Sequence, residues 1–401
     1  SPSRRAVVAG GGALFSWAYL PKFAHAAGGR DPRLVVIILR GALDGLAAVG
    51  PVGDLDYAGL HGDIALSLTG AHPGLPLDGF FALNPGMPGF AGLFKAGQAA
   101  IVHATATAYR DRSHFDGQDV LESGHPIPGR TESGWLNRAL GALPKGDKVN
   151  VGARGLAIGT TTPLVLRGSA PVVGWAPAAL PEADDDLTGR LLDLYKHRDP
   201  ALAAPLAEAL DIGKTTGTMG NMQPRGGMAS VAGMRQAAEG AAKLIAADDG
   251  PRVAALAFDG WDTHAAEGGP TGRLAMLLSG LDGAFAEFQT GLGPRWRDTA
   301  IVAITEFGRT ARVNGTIGTD HGTGTVAFLA GGAVKGGRVI ADWPGLKPTQ
   351  LYQNRDLAAT TDLRSVLKGL LADQLGLGES VLGTEVFPDS MTAKPMRGLI
   401  V

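Results

Sequence analysis

The chain contains no cysteine. That excludes disulfides, zinc–thiolate sites, iron–sulfur clusters and thiol nucleophiles, so any metal must be held by His, Asp, Glu or similar oxygen and nitrogen ligands. Histidine is scarce too, 9 in 401 residues, which leaves room for few His-rich sites. Charge is sparing and balanced: 18% of residues are charged and the net charge is -2, so no polyanion-binding surface and no nucleic-acid partner are expected. No serine stands in a G-x-S-x-G elbow and no H-E-x-x-H occurs, which argues against an α/β-hydrolase esterase and a zincin. Two decoys fail on context. Gly213-Lys214-Thr215 has Glu208 where a phosphate loop needs its first glycine, and HGTGTVA leads into a β-type run, not into the helix a dinucleotide fingerprint requires.

What is present describes a soluble α/β protein. Hydrophobic residues make up 45% of the chain, enough for one large core, and 61 glycines suit long irregular loops between strands and helices. Paired Arg4 and Arg5 precede an apolar, Gly-rich segment, and Ala24-His25-Ala26 supplies an A-x-A cleavage site. Residues 1–26 therefore have the layout of a twin-arginine export signal, with a periplasmic or secreted destination. The apolar segment is broken by Pro21 and Lys22. A spanning helix needs about 20 apolar residues, so no lasting membrane anchor is expected. Residues 27–401 are expected to form a single domain with a helical and loop insertion at about 180–230.

Continuous apolar runs mark buried strands at RLVVIIL (33–39), AAIVHA (99–104, ending at His103), 252–258 and TAIVAI (299–304), with TVAFLAGG as one more. LAIGTTTPLVLRG (156–168) predicts two short strands in a hairpin, and 187–210 predicts helices interrupted at Pro200. Helices are expected over 229–250, 274–292 and 363–375, the last capped by Thr361 or Asp362. Helix and strand alternate through the last third, which argues for a parallel sheet covered on both faces. Thr215 to Gly227 has the composition of a mobile connector.

Four strands are followed at once by polar residues suited to chemistry: Asp44 in RGALDG, Ser113 and His114 in AYRDRSHFDGQD, Asp259, Asp262 and His264 in FDGWDTH, and Glu306, Arg309, Asp320 and His321 in 304–324. In parallel strands these groups converge at the carboxyl edge, where open α/β sheets bind ligands. Each also has a plain structural reading: Asp44 as a helix cap, Asp116 and Asp119 as the acidic first turn of a helix, Asp262 in its own turn.

On these stretches, with GGAVKGGRVIADWPGL and LAATTDLRSVL, the sequence resembles the secreted bacterial proteins of domain-of-unknown-function family 1501, a sulfatase-like branch of the alkaline-phosphatase superfamily. The resemblance runs in order from residue 33 to about residue 370. It implies a doubly wound, mostly parallel sheet with helices on both faces. It also implies a divalent metal site of zinc, calcium, magnesium or manganese at the carboxyl edge. Carried over by position, Asp44, Asp262, His264, Glu306, Asp320 and His321 correspond to metal ligands, with ligation by Asp259 or Asp262 left open. Ser113 corresponds to the nucleophile, and Arg112 or Arg309 would grip the equatorial oxygens. Two departures stand out: Glu306-Phe307-Gly308 replaces the usual Asp-His-Gly after the penultimate strand, and the Asp-His pair comes later in the loop. A formylglycine nucleophile is excluded, because there is no cysteine and Ser113 lacks the maturation spacing. The implied activity is exported, metal-dependent hydrolysis of phosphate or sulfate esters, on a small-molecule or glycan ester. The alternatives are a non-catalytic member of the fold binding a metal, glycan or partner protein, and a metal-free esterase using Ser113 with His114 or His264.

Overall fold

The computed structural model describes residues 30–130, 132–143, 155–177, 185–200, 202–203, 206–207 and 227–401. The proposed signal at 1–26, Glu208, the Gly213-Lys214-Thr215 decoy, nearly all of the 215–227 connector and much of the expected insertion lie outside these residues. From Pro32 onward the chain is one compact unit. No helix among the described residues is long and apolar enough to cross a membrane.

The chain folds as an α/β protein around a mostly parallel sheet. Among the described residues the sheet has nine strands: β1 Arg33–Leu39, β2 Ala99–Ala106, β3 Gly155–Ile158, β4 Val172–Trp175, β5 Val253–Phe258, β6 Thr299–Ile304, β7 Thr325–Ala330, β8 Arg338–Ile340 and β9 Thr361–Asp362. Their order is β8-β2-β7-β6-β1-β5-β3-β4, with β9 continuing alongside the end of β2. β1 sits at the centre, paired in parallel with both β5 and β6. Every residue of its RLVVIIL run is buried. Because side chains alternate across a strand, Val35, Ile37 and Leu39 enter one core while Leu34, Val36 and Ile38 enter the other. The first core is covered by Met234 and Leu278, from helices at Val231–Ala246 and Arg273–Leu292. The second is covered by Leu136 and Leu367, from helices at Trp135–Gly141 and Leu363–Leu375. The sheet is thus doubly wound, with Asp362 capping the last helix by accepting from the Arg364 amide.

Three expectations change. β7 is antiparallel to both β2 and β6. No helix lies between Ile304 and Thr325, and a parallel return needs a crossover of a dozen or more residues, usually helical. The loop after β6 therefore comes back to the edge it left. The hairpin expected at 156–168 is absent: β3 pairs in parallel with β4, and Leu164–Leu166 is a 3₁₀ turn in the connection. Finally, β2 runs on past His103. Ala104 adopts a positive φ of 52° at a shift in the β2–β7 register, a bulge that carries the strand to Ala106. His103 is fully buried, donating from Nε2 to the Val49 carbonyl and accepting from the Ala104 amide, and burial pushes its pKa down to about 4.

Candidate metal centre

The carboxyl ends of β1, β2, β5 and β6 and the start of β7 meet at one edge, and His114, Asp262, His264, Glu306, Asp320 and His321 are brought together there. His114 opens the helix α1 (His114–Ser123), Asp262 and His264 lie in the loop after β5, and Asp320 and His321 lie just before β7. Gly41, in the turn after β1, has φ 121°, and a Cβ there would fall 2.4 Å from the Asp262 amide nitrogen. Only glycine lets the two turns approach so closely.

Each histidine has one nitrogen spent on the protein and the other facing inward. His114 Nδ1 donates to Glu306 Oε1 at 2.8 Å, leaving Nε2 3.4 Å from Asp262 Oδ2. His321 Nδ1 donates to the Arg112 carbonyl at 2.9 Å, leaving Nε2 3.5 Å from Asp262 Oδ1. A carbonyl can only accept, so the neutral His321 ring presents a lone pair at Nε2. His264 Nε2 faces His321 Nε2 at 2.9 Å and Asp262 Oδ1 at 3.1 Å. Donor atoms around one ion, each at roughly 2.0–2.2 Å from it, stand about 3–3.5 Å apart. His114, Asp262 and His321 offer ligand atoms all within 4.8 Å of one another. His114 Nε2 is moreover a buried nitrogen with no hydrogen-bond partner. The residues fit a cation: the imidazoles of His114 and His321 with the Asp262 carboxylate are an N/O set that suits zinc and related divalent ions, and His264 stands beside it. Asp320 lies at the rim, 56% exposed at its side chain, with Oδ1 3.4 Å from His264 Nδ1 and accepting from Asn314 Nδ2 at 3.2 Å.

Charges are set by neighbours. Burial pushes Asp262 up, but the Arg309 guanidinium, aided by His264 and His114, outweighs it and holds the carboxyl below its usual range. The hydrogen bond to Glu306 raises the pKa of His114. Burial, then the charge on His114, lowers that of His321. One ring therefore favours its proton and the other favours its lone pair.

Glu306 sits behind the site and not in it. It is fully buried, with Oε1 accepting from the Gly41 amide at 2.9 Å as well as from His114. Burial pushes its pKa up, and His114, the amides of Glu306 itself and Gly41, and the Thr305 hydroxyl pull it below the usual value. It stands where a carboxylate would orient and strengthen the His114 imidazole as a ligand, the arrangement common behind metal-binding histidines. Glu306→Gln is expected to weaken divalent-metal affinity about 10–100-fold, while Glu306→Asp, too short to reach Nδ1, should cost as much. Metal titration of the stripped protein checks both.

The remaining sequence candidates are placed elsewhere. Asp44 is fully buried; Oδ1 accepts from the Leu46 and Ala47 amides, and Oδ2 lies 3.2 Å from His61 Nε2. Arg309 is buried under the site, donating to the carbonyls of Gly41, Ala42, Trp261 and Thr319 and to Asp262. Arg112 has Nε and Nη2 spent on Asp356 and Gln353. Ser113 stands at the N-cap of α1, yet its side chain makes no capping bond. Asp259 is exposed at the end of β5.

Sequence reasoning missed three residues that support this edge. His61 and Glu267 are fully buried near Asp44, and Asp356 accepts from Arg112, Arg355 and Thr323. Asp356 thereby fixes Arg112, whose backbone is held at φ 62° and whose carbonyl pins His321. Their signal was weak: His61 ends a five-residue helix, too short for a period, and Glu267 and Asp356 stand in loops far in sequence from Thr319 and Arg112.

A protein family described as "Protein of unknown function (DUF1501)" matches residues 31–386. No curated protein matches the chain. Among solved structures, Ps i-CgsB in complex with k-i-k-neocarrahexaose aligns with TM-score 0.39 and 12% identity, over 91% of this chain and 77% of that one. The phosphonate monoester hydrolase of Agrobacterium radiobacter aligns with TM-score 0.33 and 14% identity, over 86% and 74%. The lipoteichoic acid synthase LtaP from Listeria monocytogenes aligns with TM-score 0.33 and 9% identity, over 89% and 76%.

Proposed function

The chain belongs to the DUF1501 family, and from that premise we propose that it is an exported, metal-dependent hydrolase of phosphate or sulfate esters. The observation that carries the reading is the convergence of His114, Asp262 and His321, with both imidazoles anchored through Nδ1 and turned inward through Nε2. His264 stands beside the set, against His321 through Nε2 and Asp320 through Nδ1. A divalent ion held there would neutralise charge on the transferring group and lower the pKa of a hydroxyl beside it.

The protein's own groups then divide the work. Ser113 is the nucleophile, its hydroxyl making no capping bond at the start of α1 and lying beside Tyr109. The first-turn amides of that helix favour an anionic group next to it. Arg309 keeps Asp262 ionised from below, with Nε, Nη1 and Nη2 all engaged by protein partners. Glu306 holds His114 in one orientation. Loading the site displaces the proton that Glu306 favours on His114, so affinity for metal rises with pH through the raised His114 pKa. A second reading, a metal-binding protein without turnover, is favoured by one fact: Arg112 and Arg309 both have guanidinium donors spent on protein partners.

Elemental analysis of natively purified protein tests the metal site. About one divalent ion per chain is expected, and Asp262→Ala or His321→Ala should lose it together with hydrolysis of aryl phosphates and sulfates. Protein that retains no ion and takes none up at millimolar concentration would remove the hydrolase reading. Bound metal without turnover on any ester would leave the second one.

A further inference from the structure

Behind the ligand-bearing loops lies a second group of titratable side chains, Asp44, His61 and Glu267, all with no exposed surface. Glu267 belongs to the same loop as Asp262 and His264. Its Oε2 accepts from Thr319 Oγ1 at 2.7 Å, and Thr319 directly precedes Asp320 and His321. The contact is the centre of a seam between the two loops. The Thr319 amide donates to the Thr263 carbonyl at 3.3 Å, the Glu267 amide to Ile317 at 3.0 Å and the Ala266 amide to Thr316 at 3.0 Å. Thr316 Oγ1 and Asn314 Nδ2 both donate to the His264 carbonyl, at 2.8 and 2.9 Å. Glycine is needed at 318, where a Cβ would fall 2.4 Å from that carbonyl. Glu267 is the fully buried carboxyl of this seam.

We propose that Glu267 is a positioning residue for the metal centre, registering the loop before β7 against the loop after β5 so that Asp320 and His321 meet Asp262 and His264. The inference rests on reading that cluster as a metal site. Burial, with the nearby Asp44 charge adding to it, pushes the Glu267 carboxyl up to about 8, so a neutral acid occupies the seam at pH 7. The charged groups facing it are Asp44 and His61, with Arg309 reaching the Thr319 carbonyl from the far side. Ionisation sets a second negative charge near Asp44 and loosens the seam.

The test titrates metal-stripped full-length protein with zinc chloride by calorimetry in a competing chelator, at pH 7 and pH 8.5. Glu267→Gln keeps the acceptor for Thr319 and is expected to bind within about threefold of wild type at pH 7. Glu267→Ala and Thr319→Val are expected to weaken zinc about 10–100-fold. Wild type should lose affinity relative to Glu267→Gln at the higher pH. If wild type binds zinc and Glu267→Ala or Thr319→Val binds equally well, the positioning role is wrong and the metal site stands. If Glu267→Ala does not fold, Thr319→Val decides alone. If wild type takes up no zinc, both the metal site and this role fall.

Discussion

If Ser113 is the nucleophile, as proposed, Ser113→Ala should lower hydrolysis of an aryl phosphate or sulfate by at least about 10⁴-fold, since its loss leaves only binding and electrostatic stabilisation. The substitution is unusually clean. Ser at an N-cap normally contributes about 1 kcal/mol through its side-chain bond, but Ser113 makes none, so stability should change by less than about 0.5 kcal/mol. Metal content should be unchanged, because no Ser113 side-chain atom lies among the converging donors. Ser113→Thr should retain measurable activity. Steady-state rates, elemental analysis and thermal melts on the three proteins decide the matter. Full activity in Ser113→Ala would move the chemistry to a water attacking directly, or out of this edge altogether.

The largest effect on stability is expected at Asp44, fully buried beside His61. Asp44→Ala should cost about 3–5 kcal/mol, the usual penalty for breaking a buried pair and stranding its partner, read as a fall in urea midpoint at unchanged slope. Asp44→Asn keeps an oxygen for the Leu46 and Ala47 amides and should cost less. Burial pushes the Asp44 pKa up, but the facing His61 and the two amides outweigh it and leave the carboxyl lowered. Burial likewise lowers His61, and Asp44 more than reverses it. The pH signs follow. The Asp44 contribution is present above the unfolded carboxylate pKa and disappears as pH falls through the lowered folded value. The His61 contribution is full below the unfolded imidazole pKa and disappears as pH rises through the raised folded value. Stability of wild type relative to Asp44→Ala should therefore peak between these limits. The folded Asp44→Ala protein should still bind metal, since the Asp44 side chain is spent on His61 and two amides. Loss of metal without loss of stability would return Asp44 to the ligand set.

Much of the frame is legible in the sequence because burial on two faces leaves a continuous apolar run. RLVVIIL and TAIVAI read as strands for that reason, and both are fully buried. The site was legible as a list and not as an arrangement. Spacing places Glu306 at a strand end, yet says nothing about which way its side chain turns. In the fold it turns inward to the Gly41 amide and the back of His114. His114 takes the inward place, an exchange that only the packing of α1 against Glu306 and Phe307 reveals. His61, Glu267 and Asp356 were illegible because their partners, Asp44, Thr319 and Arg112, are remote in the chain. The reversed direction of β7 was within reach: the run from Thr305 to Gly324 contains Gly and Asn turns and no helical period, so it had no means of crossing the sheet.

That reversal has a consequence for how the proposed site would meet an ion. The segment carrying Asp320 and His321 is fastened at both ends to neighbouring strands, β6 and β7, at one edge of the sheet. Its closure entropy, a term that grows only as the logarithm of loop length, is settled when the sheet forms. A cation arriving later has little chain to order. Its chief competitor is the proton on His114, and acidity more than flexibility should set the occupancy of the site.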